Sequence, residues 1–483
     1  MRLMTSLGVA IAALMAAVAS QHPAPPAGVR TRLQALVDSG KVASIAVAVG
    51  RDGGLLWSDA VGMADKARRI AATPRTPYSV ASVTKPFTAT AVMMLSERGL
   101  VSLDEPITRY LGPLARPGVR SEREVTVRRV LGHTAGLPVH YQFFYADQPL
   151  APLPFAPRMQ CYGAEVHAPG ARYAYSNLGY GVLGDLVARV AETTYGEFLA
   201  RELFAPLGLS GARVPAGMGD TAGFAVRYDS SGEPLPFYVT DHPAASELYV
   251  SVEDLVRFGL FHAGAITPAR VVLGAGSRAA MQQPGLGRYG LGWSVNPDWR
   301  GRRVVYHGGG MPGVSATLWV VPGERIAIAL ASNQMGAPVN QIAGEILGDL
   351  LGVAPPGGPG GGADAEVPAA SLPATAPDLR GRWQGTLGSC PNATAIALEV
   401  RGPDDIGVAI GSGPAAAAMA PSAADGRVAG AFAGDGEMGP SRFRFTLELR
   451  GDRLEGPVAR ATSLGARGNT AVALWASLER APE

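Results

Sequence analysis

Lysine is nearly missing from this chain. Across 483 residues it occurs three times, as Lys41, Lys66 and Lys85, and every other basic residue apart from histidine is arginine. A guanidinium is effectively never deprotonated, so the chain has very few side chains able to act as a neutral amine base. Cysteine is also scarce: Cys161 and Cys390 are the two it has, which excludes a cysteine-rich metal cluster or disulfide scaffold. In an oxidising compartment they would form one disulfide between the main body and the C-terminal part; spacing leaves this open against two buried thiols. No run of basic residues occurs and the net charge is +2, which disfavours nucleic acid as a partner.

Long apolar runs are missing too. The stretch from Leu7 to Val18 follows a single arginine, Arg2, and gives way to Ala17-Val18-Ala19-Ser20. It is short of the ~20 apolar residues of a membrane span, and its small-residue end reads as a secretory leader over residues 1–20. The expectation is an exported chain, secreted or periplasmic, with no span after cleavage. No cysteine lies nearby to take a bacterial-type lipid anchor.

One lysine stands in a motif. In Ser82-Val83-Thr84-Lys85 the pattern turns helical, with Phe87, Ala91, Met94, Leu95 and Arg98 at spacings of three and four before Gly99. This predicts a helix of about four turns with an apolar stripe and a glycine stop. Pro86 falls in the first turn, where its missing N–H costs little. Residues i and i+3 share a face, so Lys85 lies one turn beneath Ser82. A serine hydroxyl is a weak nucleophile until a base takes its proton, and a lysine in a dry pocket is such a base. Backbone N–H groups at the helix start would meet an oxyanion.

Two further groups follow. Tyr173-Ala174-Tyr175-Ser176-Asn177 precedes a helical pattern of Leu178, Val182, Leu186 and Val190. A phenol at Tyr175 with its pKa lowered by nearby cations would shuttle protons, and an amide at Asn177 would hold a substrate carbonyl and a lysine amine. From 289 to 333 the apolar period becomes two, with strands at 289–295, 302–307, 314–321 and 325–332. His307-Gly308-Gly309-Gly310 ends one of them. Glycines there would let a substrate backbone lie along the strand edge, and His307 would either steer a substrate carboxylate or hold the Ser–Lys–Tyr network in charge balance. The N–H of Gly310 would be the second oxyanion donor, beside that of Ser82.

Residues 139–172, rich in proline and aromatics, read as an irregular wall over a cleft. Residues 354–378 are rich in Pro, Gly and Ala and read as a flexible linker. Beyond them come short strands at 381–385, 395–400, 443–449 and 471–478, a small all-β domain over 379–483. Asn392-Ala393-Thr394 matches a glycosylation acceptor.

Taken in order, Ser82/Lys85, Tyr175/Asn177 and His307/Gly309 resemble the motifs of the serine β-lactamase and penicillin-binding protein superfamily, in its class C-like branch. That branch includes class C β-lactamases, DD-carboxypeptidases, D-aminopeptidases and related esterases. The stretches Leu131 to Pro138, Pro206 to Leu209, Tyr289 to Trp293 and Ala331-Ser332-Asn333 are similar as well. The likeness covers roughly residues 28–352. It implies an α+β fold: a domain over 21–353 with a central antiparallel sheet and a helical insertion, the site lying between them. It implies a serine hydrolase acting through an acyl-enzyme, with Ser82, Lys85 and Tyr175 catalytic, and Asn177, His307, Gly309 and Gly310 binding substrate. No metal or organic cofactor is called for; the partner is a small molecule or peptide, and the oligomeric state stays open. β-Lactams or D-amino-acid peptides head the substrates; the alternatives are a small-ester esterase, a D-aminopeptidase, or a penicillin-binding sensor without turnover. The strand motif is His-Gly-Gly rather than the Lys-Thr-Gly of class C β-lactamases, closer to peptidase and D-amino-acid-processing members. Where relatives carry a Gly-Gly pair before the helix near 252, this chain has Ser246-Glu247.

Overall fold

The computed structural model describes residue 23 and residues 25–353 and 378–482, apart from 115–116, 119–121, 269, 389–392 and 437–438. The leader at 1–20, nearly all of the linker, Cys390 and Asn392 lie outside the described residues.

Alternation builds the central sheet. Strand β1 (Ser44–Arg51) points Ile45, Val47 and Val49 to one face and Ala46 and Ala48 to the other. The sheet is completed by β2 (Gly54–Asp65), β3 (Ile70–Ala71), β4 (Ser294–Trp299), β5 (Arg302–Met311), β6 (Val314–Val321) and β7 (Ile326–Ser332). They lie antiparallel in the order β3-β2-β1-β7-β6-β5-β4, with Val47 opposite Leu330 and Trp319 opposite Ile328. The large side chains pack on helices α1 (Ala27–Asp38) and α5 (Val339–Leu351) through Leu33, Ile342 and Ile346. On the alanine face, helices α2 (Thr84–Glu97) and α4 (Val252–His262) pack close, with Phe87 and Phe258 stacked at 3.7 Å. Each such buried ring contributes roughly 1.5–3 kcal/mol over an exposed one.

Two expectations change here. Helix α2 has no single apolar stripe: Thr84 to Leu95 are all buried, because it runs through the middle of the molecule. Its hydroxyls are satisfied inside it or by neighbours, Thr90 by the Pro86 carbonyl at 2.7 Å and Thr88 by that of Ala244 at 2.5 Å. The strand expected from 289 begins only at Ser294; Gly290 abuts the Met281 carbonyl and Gly292 has φ +87°, so 289–293 forms a turn.

The wall at 139–172 is more regular than its composition suggests. Phe143–Tyr145 pairs with Tyr238–Thr240, and Phe155–Tyr162 is helical. The C-terminal part is a nine-stranded antiparallel sheet from Gly381–Leu387 to Asn469–Arg480. Hydrogen bonds from Ala418 N to Ile406 O and Ala423 N to Pro403 O, both 2.8 Å, curl its edges together into a barrel. Its core of Trp383, Leu398, Phe432, Phe443 and Leu478 takes in Cys161 and Tyr162 from the wall. Cys161 is disulfide-bonded. Tyr141 and Ala471 exchange backbone bonds of 2.7 and 2.9 Å, and Tyr145 donates to Arg467 O at 2.7 Å. Among the described residues, no helix is long and apolar enough to cross a membrane.

Candidate active site

Ser82 sits in a single tight turn, Ala81–Val83, that leads into α2. Ala81 has φ +47°, an uncommon conformation for a residue with a Cβ, and is buried. Such backbone costs on the order of 1–3 kcal/mol and is held by what surrounds it. Gly309 on β5 is one of those surroundings: a Cβ there would stand 2.0 Å from the Val80 carbonyl oxygen. Only glycine lets the strand lie against the turn that carries Ser82.

Lys85 lies one turn on, 0% exposed. Its Nζ is 3.0 Å from Ser82 Oγ, 2.8 Å from Asn177 Oδ1 and 3.0 Å from Ala245 O. Among the described residues no carboxylate is bonded to it, and burial pushes its pKa well below the usual lysine value. A neutral amine has two hydrogens and one lone pair. Asn177 Oδ1 and the Ala245 carbonyl can only accept, so they take the two hydrogens and leave the lone pair facing the Ser82 hydroxyl. That is the arrangement of a general base.

Two glycine positions on α3 (Asn177–Ala191) set up those acceptors. A Cβ at Gly184 would meet Ala244 Cβ at 2.5 Å, and one at Gly181 would meet His242 Cβ at 2.9 Å. Their absence lets the segment 242–245 lie on the helix and offer its carbonyls to Lys85 and Thr88. Helix α3 is capped by Ser176, whose Oγ accepts from Gly179 N at 2.8 Å, which places Asn177 at its first position.

The Tyr175 hydroxyl contacts Ser82, and Lys85 Nζ is 4.7 Å from its ring centre. The phenol departs from expectation: burial of its hydroxyl pushes the pKa up, not down. Tyr175 therefore keeps its proton and can act as a donor. Gly310 has open space where a side chain would stand. The pairing of β5 with β4 stops at Tyr306, opposite Ser294, so β4 leaves the His307–Gly310 edge uncovered.

His307 also departs from expectation. It is 4% exposed, and its Nδ1 is 2.7 Å from the Gly308 carbonyl while Nε2 is 3.1 Å from Tyr289 Oη. A carbonyl only accepts, so Nδ1 carries the hydrogen and Nε2 is left as an acceptor facing the Tyr289 hydroxyl, which is also bonded to Tyr180. Burial lowers its pKa to about 3, so the ring is neutral. With both nitrogens used inside the protein, it has no donor left for a substrate carboxylate.

Some contributors were not singled out by sequence. His133 is buried among the rings of Tyr175, Tyr180 and Tyr289 at 4.4, 5.0 and 4.6 Å. Its Nδ1 accepts from Ser176 N at 3.1 Å, fixing the start of α3. Tyr180 donates to Leu131 O at 2.8 Å. Their only sequence signal was the likeness of the stretches around them. Ser246 and Glu247 are buried; Glu247 accepts from the Thr240 hydroxyl at 2.7 Å and from its N–H, fastening the wall strand. Burial raises the Glu247 pKa to about 7.

Away from the nucleophile, His140, Asp241 and His242 converge, all buried, with ligand atoms within 4.8 Å of one another. Asp241 is 2.8 Å from His140 Nε2 and 2.7 Å from His242 Nδ1. These are the lengths of hydrogen bonds bridging two imidazoles through a carboxylate.

The family model described as Beta-lactamase matches residues 29–351. Penicillin-binding protein 4 of Amycolatopsis lactamdurans is 29% identical over 349 residues, 67% of this chain and 90% of that protein. In fold, the chain is similar to the octameric penicillin-binding protein homologue from Pyrococcus abyssi, with TM-score 0.57 and 21% identity over 92% of this chain and 99% of that one. It is similar also to a class C beta-lactamase, with TM-score 0.56 and 20% identity over 67% of this chain and 95% of that one.

Proposed function

The chain belongs to the beta-lactamase family, and from that premise we propose that it is a serine hydrolase working through an acyl-enzyme on amide or ester bonds. The observation that carries this reading is the buried Lys85 amine, 3.0 Å from Ser82 Oγ, with two acceptors fixing its hydrogens. Ser82 gives its proton to Lys85 as Oγ bonds to the acyl carbon, and the Ser82 and Gly310 N–H groups hold the oxyanion. Tyr175, protonated, donates to the leaving group as the carbonyl reforms and is reprotonated from Lys85. Water then attacks the acyl-enzyme with the same groups in reverse. Asn177 keeps Lys85 in place through Oδ1 and presents its Nδ2 hydrogens to the acyl chain. Gly309 keeps β5 against the nucleophile turn.

D-Amino-acid peptides and β-lactams are the acyl donors that the family brings forward. Small esters are a second reading, favoured by the engaged nitrogens of His307. The test is a hydrolysis screen over these three substrate classes with Ser82→Ala as control; activity retained in the variant would defeat the reading. Export to an oxidising compartment is part of the proposal, supported by the leader-like residues 1–20 and by a disulfide-bonded Cys161. N-terminal sequencing of the mature protein tests it: a start near residue 20 supports export, and an intact Met1 in the cytoplasm contradicts it.

A further inference from the structure

Lys85 turns its lone pair to Ser82 because two acceptors, Asn177 Oδ1 and Ala245 O, take its hydrogens. Those acceptors come from segments far apart in sequence, and each segment is tied down. Asn177 N donates to Val139 O at 2.8 Å and Ser176 Oγ donates to Pro138 O at 2.6 Å, so the start of α3 is fastened to residues 138 and 139. Ala245 N donates to His242 O at 2.8 Å, closing a tight turn. His242 lies on α3, where a Cβ at Gly181 would stand 2.9 Å from its own. The residue after Val139 is His140, and the residue before His242 is Asp241.

These two ends meet. The pairing of Phe143 with Thr240 brings His140 and Asp241 to the same end of the wall ribbon. The Asp241 carboxylate is 2.8 Å from His140 Nε2 and 2.7 Å from His242 Nδ1, with all three side chains almost wholly buried. Burial alone would raise its pKa, but the two imidazoles hold it below the usual carboxylate range. An ionised carboxylate only accepts, so both rings donate to it. Arg158, on the wall helix, donates to the Asp241 carbonyl at 2.5 Å and pairs with Asp185 on α3. Breaking either imidazole bond would leave an unpaired polar group in a dry interior, which makes the bridge stiff. None of the three residues takes part in the proposed acyl transfer. We propose that Asp241 is a positioning residue for the general base. Bridging His140 and His242, it locks together the two segments that supply both acceptors of Lys85, and so keeps the amine's lone pair on the Ser82 hydroxyl. The inference rests on the serine-hydrolase reading above and adds to it what orients the base.

The test uses the full chain and two variants that both lose the charge. Asp241→Asn keeps a bridge: its Oδ1 accepts from one imidazole and its Nδ2 donates to the other once that ring changes tautomer. Asp241→Leu is of similar size and has no bridge. For each folded protein, the rate constant of Ser82 acylation and the dissociation constant of the acyl donor are measured separately in rapid-mixing experiments. The donor is p-nitrophenyl acetate or a penicillin, whichever acylates the wild type. Asp241→Leu is expected to slow acylation at least about tenfold, short of the ~10²-fold that a 1 Å misplacement far from the chemistry can cost, with the dissociation constant within about threefold of the wild type. Asp241→Asn is expected to recover most of the rate. A folded Asp241→Leu that acylates at the wild-type rate would overturn the proposal, as would a loss confined to binding or an Asn variant no faster than the Leu one. If Asp241→Leu does not fold, His140→Leu decides by the same slowing of acylation; it removes the buried, unpaired Nδ1 along with the ring. Failure of both to fold counts against the proposal. If neither donor acylates Ser82 in the wild type, the hydrolase reading falls and takes this inference with it; wild-type acylation with unslowed variants defeats this inference only.

Discussion

Gly309 and Val80 touch backbone to backbone: the strand beside Ser82 lies so near the turn that carries it that a methyl group at Gly309 would stand 2.0 Å from the Val80 carbonyl oxygen. Gly309→Ala must therefore push strand and turn apart. The expected result is a loss of kcat/KM of at least a hundredfold, with a loss of stability of about 1–3 kcal/mol, the usual range for overpacking. Activity assays and urea denaturation on the same preparation check both; unchanged kcat/KM would mean that the contact is not part of the site.

The base assignment predicts a pH profile. Lys85 acts only when neutral, so kcat/KM should rise with pH through its folded-state pKa, which burial places well below the usual lysine value. Lys85→Arg cannot lose its proton and should be inactive at every pH up to 10. An active Arg variant with the same acid limb would refute the assignment.

Tyr175 is read as the donor to the leaving group, since burial keeps its phenol protonated. Tyr175→Phe should lower kcat by roughly 10²–10⁴, the range for a lost general acid. The loss should shrink as the leaving group improves, so aryl esters suffer less than amides. A loss independent of the leaving group would assign Tyr175 a positioning role instead.

Glu247 gives a stability prediction. Its pKa is raised from 4.5 to about 7 by burial. A carboxyl raised on folding binds more protons in the folded chain than in the unfolded one between those values. Its contribution is full below about 4.5 and is lost as pH climbs through about 7, an effect of order 1–3 kcal/mol. His242, lowered by burial to about 4, works the other way, adding stability as pH rises from there to 6.5. Glu247→Gln removes only the first effect, so unfolding free energies at pH 5 and pH 8 should differ less unfavourably for pH 8 than in the wild type. Identical pH dependence in both proteins would contradict the assignment.

The residues proposed to carry chemistry stand out because local spacing brings them together in pairs: Ser82 in the turn that enters a helix and Lys85 in its first turn, Tyr175 and Asn177 at the start of another. What sequence missed depends on long-range contact. Nothing local says that the Ala245 carbonyl holds Lys85, or that His133 braces Ser176 from 43 positions away. The direction of the Tyr175 pKa and the engagement of His307 likewise follow from burial and from Tyr289 across the sheet. In the barrel, Phe443–Leu449 and Ala471–Leu478 alternate clearly, but Met419–Ala424 and Arg427–Gly436 are alanine- and glycine-rich and give little period-two signal. Their strands are defined by pairing, as Ala429 with Thr446.

The most direct measurement of the central claim is the mass of the Ser82-containing peptide after brief exposure of the whole protein to a penicillin or to p-nitrophenyl acetate, quenched in acid. The account predicts the mass of the acyl group on Ser82 with at least one of the two reagents, and none in Ser82→Ala. Hydrolysis that persists in Ser82→Ala, or an adduct on any other residue, would contradict it.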